Sequence, residues 1–152
     1  MEELYMLIAE RLNAQMPSLA LIDEDTGQLT ETEDMYPVIF PCALIDVSTV
    51  DWTNDKDFRQ RGDAVITIKH AFDCHEDTHL ASARYQQFAD LSARCGQHKQ
   101  LCGALHRYCL CENVSPLQRI QSRHYTLYGR IKVYEVTFRC KIAEDLLTCE
   151  QA

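Results

Sequence analysis

Strict alternation of apolar and polar residues in two segments is the strongest constraint on the fold. Residues 63–73 and residues 130–142 both place apolar side chains at every second position. Because successive side chains of a β-strand point to opposite faces, this period predicts two strands with one buried and one solvated face. The predicted buried residues are Ala64, Ile66, Ile68, His70 and Phe72 in the first strand and Tyr134, Val136, Phe138, Cys140 and Ile142 in the second.

A β-hairpin is predicted near the end of the chain. Residues 117–127 precede the alternating segment 130–142, and Tyr128 and Gly129 lie between them. Glycine favours a tight turn between two such segments. The second segment therefore pairs with a neighbour along the chain.

Residues 36–48 predict a further strand, because they are apolar at successive positions and rich in β-branched side chains. Pro37 and Pro41 cannot donate to a sheet ladder, which restricts them to edges, bulges or strand starts. We therefore expect part of this strand to lie at an edge of the sheet. A polar turn is predicted for residues 51–61.

The first helix is predicted over residues 2–15 and ends before Pro17. The acidic, turn-rich segment 18–35 follows, with a short extended piece around residues 19–22. The helix places its apolar residues at helical spacing on one stripe, which consists of Leu4, Leu7, Ile8 and Leu12.

A long helix is predicted to begin at an N-cap at Asp77 or Thr78 and to end near Gly96. A second helical piece is expected before Pro116. The apolar residues of the long helix are Ala81, Tyr85, Phe88, Leu91 and Cys95, and those of the second piece are Leu101, Leu105 and Tyr108.

The order helix, strand, strand, helices, strand, strand predicts an α+β fold. We expect residues 1–152 to form a single domain, with a mainly antiparallel sheet of about four strands and helices packed on one face. The chain length of 152 residues agrees with a single domain, because domains commonly contain about 100–150 residues. The hydrophobic share of 46% is that of an ordinary globular protein.

Charge and terminal composition limit the function classes. The formal net charge of −8 opposes nonspecific nucleic-acid binding, which depends on cationic contacts to phosphates. The N-terminal residues are acidic and no run of about 20 apolar residues occurs, so we expect a cytoplasmic protein without a membrane span. In that compartment its eight cysteines would be reduced thiols.

The segment His75-Glu76-Asp77-Thr78-His79 matches H-E-x-x-H, the zinc-binding motif of a class of hydrolases. That chemistry requires both histidines on one face in the middle of a helix, with the glutamate activating water. The segment follows a predicted strand directly and contains the predicted N-cap, which places His75 outside the helix. A zinc-dependent hydrolase therefore remains an alternative function.

A second set of candidate zinc ligands lies in 17 residues: Cys95, His98, Cys102, His106, Cys109 and Cys111. A tetrahedral zinc site would need four of them. No C-x-x-C pair is present, and free cysteines commonly serve as small buried apolar groups. A zinc-binding interaction module is therefore a second alternative.

Other chemistry is disfavoured. Cys74 beside His75 could act as a nucleophile, but Asp73, Glu76 and Asp77 make its surroundings acidic, which opposes thiolate formation. The acidic loop 23–34 lacks the ligand spacing of an EF-hand. The sequence contains neither the phosphate-binding motif G-x-x-x-x-G-K-[ST] nor the dinucleotide-binding motif G-x-G-x-x-G. We assign no catalytic, cofactor-binding or metal-binding residue.

Several short segments form a succession along the chain: Met16-Pro17-Ser18-Leu19, Ile22-Asp23, Gly27-Gln28-Leu29, Tyr36-Pro37-Val38, Phe40-Pro41, Ile45-Asp46, Trp52, Gly62-Asp63-Ala64-Val65-Ile66-Thr67-Ile68 and Val133-Tyr134-Glu135-Val136-Thr137-Phe138. This succession resembles that of small prophage-encoded proteins of the tail-terminator and head-to-tail joining type. The resemblance covers most of the chain and includes no catalytic signature. The cysteines and histidines of residues 95–111 are not explained by it.

The resemblance implies a non-enzymatic subunit that forms a homo-oligomeric ring at the end of a phage tail or at the head-tail junction. Its partners would be copies of itself and other tail or connector proteins, without a cofactor or a small-molecule substrate. It would be found in the bacterial cytoplasm or in a phage particle. We expect its contacts to involve the edge strand at residues 38–47 and the acidic loop 23–34.

Overall fold

The computed structural model describes residues 2–30, 38–74 and 85–146. Within these ranges the chain forms two helices and five strands, which confirms the predicted α+β class. In chain order the elements are α1 (Glu2–Gln15), β1 (Leu21–Glu24), β2 (Cys42–Lys56), β3 (Arg59–Asp73), α2 (Tyr85–Leu105), β4 (Gln118–Leu127) and β5 (Ile131–Asp145).

The five strands form one sheet in the order β1-β2-β3-β5-β4. β1 runs parallel to β2, and all other neighbours are antiparallel, so the sheet is mainly antiparallel as predicted. The fifth strand is β1, which corresponds to the short extended piece predicted around residues 19–22. The central strands β3 and β5 pair along all 15 residues of each.

Both helices pack on the same face of the sheet, as predicted. Leu4, Ile8 and Leu12 of the predicted stripe of α1 are buried in the main core, whereas Leu7 is half-buried and lies outside it. α2 contributes Leu101 and Leu105 to the same core. The alternating residues of β3 and β5 supply the sheet side of this core: Ala64, Ile66, Ile68, Val136, Phe138, Cys140 and Ile142.

A smaller apolar cluster lies on the opposite face of the sheet. Its buried residues are Cys42, Leu44, Ala71 and Val133. The segment that leads into β2 covers part of this cluster with Val38 and Phe40, which are half-buried.

The predicted edge position of residues 36–48 is wrong for the start of β2, but from Asp46 onwards β2 pairs with β3 alone and lies at the edge of the sheet, as expected for part of this strand. Residues Cys42–Ile45 pair with both β1 and β3, and all four are buried. β1, which the sequence predicted as an extended piece but not as a partner of β2, covers these four residues. Pro41 precedes the strand, where its missing N–H costs no ladder hydrogen bond, and its peptide bond with Phe40 is cis. Pro37 lies outside the described residues.

The polar turn predicted for residues 51–61 is also wrong. β2 continues to Lys56 and β3 begins at Arg59, so the turn is confined to Asp57 and Phe58. Asp57 adopts a positive φ of 52°, which such a tight connection requires. The flanking residues are polar because this end of the hairpin is exposed, and backbone pairing holds it without an apolar alternation.

The long helix does not end at Gly96. α2 runs through Gly96 to Leu105, so the predicted second helical piece is its last part, but Tyr108 lies beyond the end of the helix. Glycine weakens a helix by only about 1 kcal/mol, which the burial of Leu101 and Leu105 offsets. The predicted N-cap at Asp77 or Thr78 lies outside the described residues. The hairpin predicted around Tyr128 and Gly129 is confirmed by the pairing of β4 with β5.

Candidate functional site

The six cysteines and histidines of residues 95–111 do not converge on one point. α2 directs Cys102 and His98 towards each other, with 3.6 Å between Cys102 Sγ and His98 Nε2. Cys95 Sγ lies 3.9 Å from the hydroxyl of Tyr134 instead. Within the described part of the chain, no three His, Cys, Asp or Glu side chains are placed to hold a metal ion.

The other three side chains of this run have different neighbours. His106 Nδ1 accepts a hydrogen bond from the backbone N–H of Arg119 at 3.1 Å. Cys109 donates to the carbonyl of Val114 at 3.2 Å, and Cys111 packs at the edge of the main core. Of the six candidate ligands, α2 thus brings His98 and Cys102 together but not His106.

A buried histidine pair lies between α2 and the sheet. His70 of β3 has no exposed surface, and its Nδ1 lies 3.3 Å from Nδ1 of His98, so one ring donates to the other. His70 packs on Phe72, with ring centroids 4.5 Å apart, and His98 stacks on Tyr134 at 5.1 Å. The alternation of β3 predicted a buried His70, but nothing in the sequence predicted His98 as its partner.

Both histidines are held neutral. Burial, followed by the neighbouring His98, lowers the pKa of His70 to about 3. Burial, followed by the charges of Arg119 and His124, lowers the pKa of His98 to about 4. Among the described residues, no group lies within hydrogen-bond distance of His70 Nε2. The pair is therefore a packed, uncharged part of the core.

Two buried thiols are also unsuited to nucleophilic chemistry. Burial raises the pKa of Cys42 to about 11, although a backbone hydrogen bond with Ala71 opposes the shift. Burial raises the pKa of Cys140 to about 11 as well. Cys74, the candidate nucleophile, is half-buried, and its candidate partner His75 lies outside the described residues. The whole segment His75–His79 lies outside them too, so the zinc-hydrolase alternative stays untested.

An open groove of about 640 Å³ lies beside the ends of β3 and β5. Its charged lining includes Arg61, Asp63, Glu112 and Lys141, which are exposed side chains of both signs. Cys109 lines it too, and its thiol is hydrogen-bonded to Val114. The groove brings together no acid, base and nucleophile in hydrogen-bond contact among the described residues.

One edge of the sheet, β4, is exposed and basic. Eight of its ten residues are exposed, and the strand contains Arg119 and Arg123 but no carboxylate. A bulge between Arg119 and Gln121 leaves Ile120 outside the ladder, with 47% of its surface exposed. In sequence this strand is a short polar segment, and its position at an edge depends on strand order, which the sequence does not reveal.

The opposite edge, β1, is acidic. Asp23 and Glu24 end the strand and are exposed. The next residue, Asp25, forms an ion pair with Lys69 at 2.8 Å and accepts a hydrogen bond from the N–H of Gly27. The described part of the acidic loop 23–34 is thus a hydrogen-bonded turn, and residues 31–34 lie outside the described ranges.

The predicted contact strand at residues 38–47 offers little surface. Its residues Cys42–Ile45 are buried, and Ile39 is the large apolar side chain that remains exposed there. The contacts predicted for residues 38–47 and for the acidic loop 23–34 stay predictions, and β4 was not among the predicted contact regions. Among the described strands, β4 and β1 each have an outer side that pairs with no other strand.

No helix in the described ranges combines the length and apolar character needed to cross a membrane. No protein-family model matches the chain, and no curated protein matches it. Among solved structures, a chain from the virion of a native gene transfer agent (GTA) particle matches with a TM-score of 0.57 and 11% sequence identity. The match covers 93% of this chain and 95% of that chain. The protein therefore shares its fold, over nearly its full length, with a component of that virion.

Proposed function

We propose that this chain is a non-enzymatic structural subunit of a phage-like particle, and that copies of it assemble into a ring at the tail end or the head-tail junction. The observation that carries the proposal is the fold shared with a virion chain over 93% of the protein. A match that spans both chains almost completely indicates a common whole architecture, which is more than one shared motif.

The described residues support an assembly role over chemistry. The buried histidines are neutral and packed, and the thiols of Cys42 and Cys140 are strongly disfavoured as thiolates. The exposed surfaces, in contrast, include two different sheet edges. Two unlike surfaces on one subunit are what a head-to-tail ring requires.

Native mass spectrometry of the purified protein under reducing conditions tests this function, because one spectrum gives both the number of subunits and any bound metal. We expect a metal-free, closed oligomer, and negative-stain electron microscopy of the same sample should show rings. A monomer with stoichiometric zinc would contradict the proposal and favour the ligands of residues 75–79 or 95–111.

A further inference from the structure

The two edges of the sheet carry opposite charges. β4, at one edge, has two arginines and no carboxylate, whereas β1, at the other edge, ends in two exposed carboxylates. Within the described residues no strand pairs with the outer side of either one. Four interstrand spacings separate these edges, roughly 19 Å, so one copy cannot bring its own edges together.

The basic edge is available to a partner. Arg123 lies 3.6 Å from Glu135 and over the ring of Tyr125, but 63% of its side chain stays exposed. An exposed ion pair of this kind contributes little, which leaves the arginine able to meet a second carboxylate. Arg119 is exposed as well, but it hydrogen-bonds the thiol of Cys102 and lowers the pKa of His98 after the effect of burial, so part of its charge acts towards α2.

The acidic edge continues onto α1, which lies beside β1. Burial and then the charges of Asp23 and Glu24 raise the pKa of Tyr5, which shows that both carboxylates act on this side of the molecule. A groove of about 370 Å³ runs between α1 and β1. Glu10 stands at its rim, and its apolar lining comes from Ala9, Leu19, Leu21 and Ile22.

We propose that the β4 edge of one copy docks against the β1 edge and the adjoining α1 groove of the next copy. The inference rests on the proposed function, since it names the contact that would build the ring. Arg123 of β4 faces Asp23 and Glu24 across this contact, while the exposed Ile120 enters the groove beside Glu10. Because the two surfaces differ, the contact is head-to-tail and repeats from copy to copy until it closes.

The features of β4 also restrict what else can pair with it. A bulge and positive charges on an edge strand disfavour unspecific strand addition, because a like-charged or flat edge cannot match them. An acidic edge with an apolar groove matches both features. The bulge and the positive charges therefore exclude pairing between the β4 strands of two copies and favour the β1 edge with its groove as the partner surface.

Charge reversal at each edge tests the contact. The basic-edge variant combines Gln121→Glu with Arg123→Glu, and the acidic-edge variant combines Asp23→Lys with Glu24→Lys. Arg139→Glu on the neighbouring strand β5 and Glu112→Lys in an exposed loop are matched controls. Circular dichroism and thermal unfolding of every variant show whether it is folded, and analytical ultracentrifugation measures its association.

Each edge variant alone should associate about a hundredfold more weakly than the wild type or fail to assemble, because like charges then face each other. A 1:1 mixture of the two variants should assemble again, since each reversed edge then meets a complementary one. Native mass spectrometry of that mixture should find both variants in equal numbers. The two control variants should assemble like the wild type.

Two results would overturn the edge contact. One is a folded edge variant that assembles alone as strongly as the wild type, and the other is a mixture of folded variants that stays monomeric. If the wild type itself never assembles, the proposed ring and this contact both fail. Wild-type rings that persist in both edge variants contradict the edge contact alone.

Discussion

His70 and His98 are neutral, mutually hydrogen-bonded side chains inside the core, and this costs stability in acid. A histidine whose pKa is lowered by folding binds protons more readily in the unfolded chain. The stabilising effect of keeping the pair neutral is therefore complete above pH 6.5, the ordinary pKa of histidine. It is lost as pH falls towards about 4 for His98 and about 3 for His70.

We predict that the free energy of unfolding falls steeply between about pH 6 and pH 4, by up to about 1.4 kcal/mol per pH unit for each histidine. Urea unfolding at a series of pH values measures this slope. Because carboxylates also titrate in this range, the informative comparison is with His70→Leu, which should show a shallower slope. An unchanged slope in that variant would contradict the buried, neutral state of His70.

Thiol accessibility gives a second prediction at this scale. Cys42 and Cys140 are buried and have a raised pKa, whereas Cys95 and Cys109 are exposed. Alkylation of the folded, reduced protein with iodoacetamide should modify the two exposed cysteines at least about tenfold faster, because the thiolate is the reactive form. Peptide mass mapping measures the rates. Rapid modification of Cys42 would show that β2 is not buried between its neighbours.

The periodicity of single residues predicted their burial but not their partners. The alternation of β3 placed His70 on the buried face correctly, since that depends only on local geometry. Its contact with His98 depends on how α2 lies across the sheet, and the six candidate ligands of residues 95–111 showed no spacing that fixed this. His106, Cys109 and Cys111 lie beyond the end of α2 at Leu105, and Cys95, inside the helix, contacts Tyr134 instead.

At the scale of elements, two glycines differ in the space around them and therefore in the expected effect of replacing them on stability. A Cβ at Gly62 of β3 would lie 2.6 Å from Val50 Cγ1 and 3.0 Å from the ring of Trp52, whereas a Cβ at Gly96 of α2 would meet nothing within 4 Å. Gly62 therefore permits the close approach of β2 and β3. Gly96 serves no packing need in the described structure.

We predict that Gly62→Ala destabilises the protein by about 1–3 kcal/mol, because Val50 and Trp52 must shift. Gly96→Ala, the matched substitution, should stabilise it by about 0.5–1 kcal/mol, because alanine favours the helix. Urea unfolding midpoints of both variants measure the difference. Destabilisation by Gly96→Ala would indicate that α2 is interrupted there, as its sequence suggested.

Helices and strands with a clear apolar period could be predicted from the sequence. Strands whose position depends on backbone pairing with another strand could not. The β4–β5 hairpin and α1 follow from local patterns that agree with their surroundings. The exposed end of the β2–β3 hairpin has no such pattern, since its residues 53–56 are polar on both faces. β1 is four residues long and is defined by its parallel pairing to β2, which the sequence alone does not show.

At the scale of the whole molecule, the charges of the two edges give the subunit a direction. The composition revealed a net charge of −8 but not its distribution, because strand order decides which residues reach an edge. β4 is basic although the chain is acidic. An overall acidic subunit with one basic edge repels random copies and attracts a copy in one orientation.

We predict that assembly weakens with salt. Raising the ionic strength from 0.1 M to 1 M shortens the screening length from about 10 Å to about 3 Å, which reduces attraction between the exposed charges of the two edges. Sedimentation velocity at both ionic strengths measures the fraction of assembled protein. Assembly that strengthens with salt would indicate an apolar interface elsewhere on the subunit.

Trp52 is the single tryptophan of the chain, and it packs half-buried against Gly62 near the exposed end of the β2–β3 hairpin. Intrinsic fluorescence excited at the red edge of protein absorption therefore arises from one known place. A change in its emission wavelength reports the hydration of that hairpin and not an average over the core. The protein thus contains its own optical label for local opening at one end of the sheet.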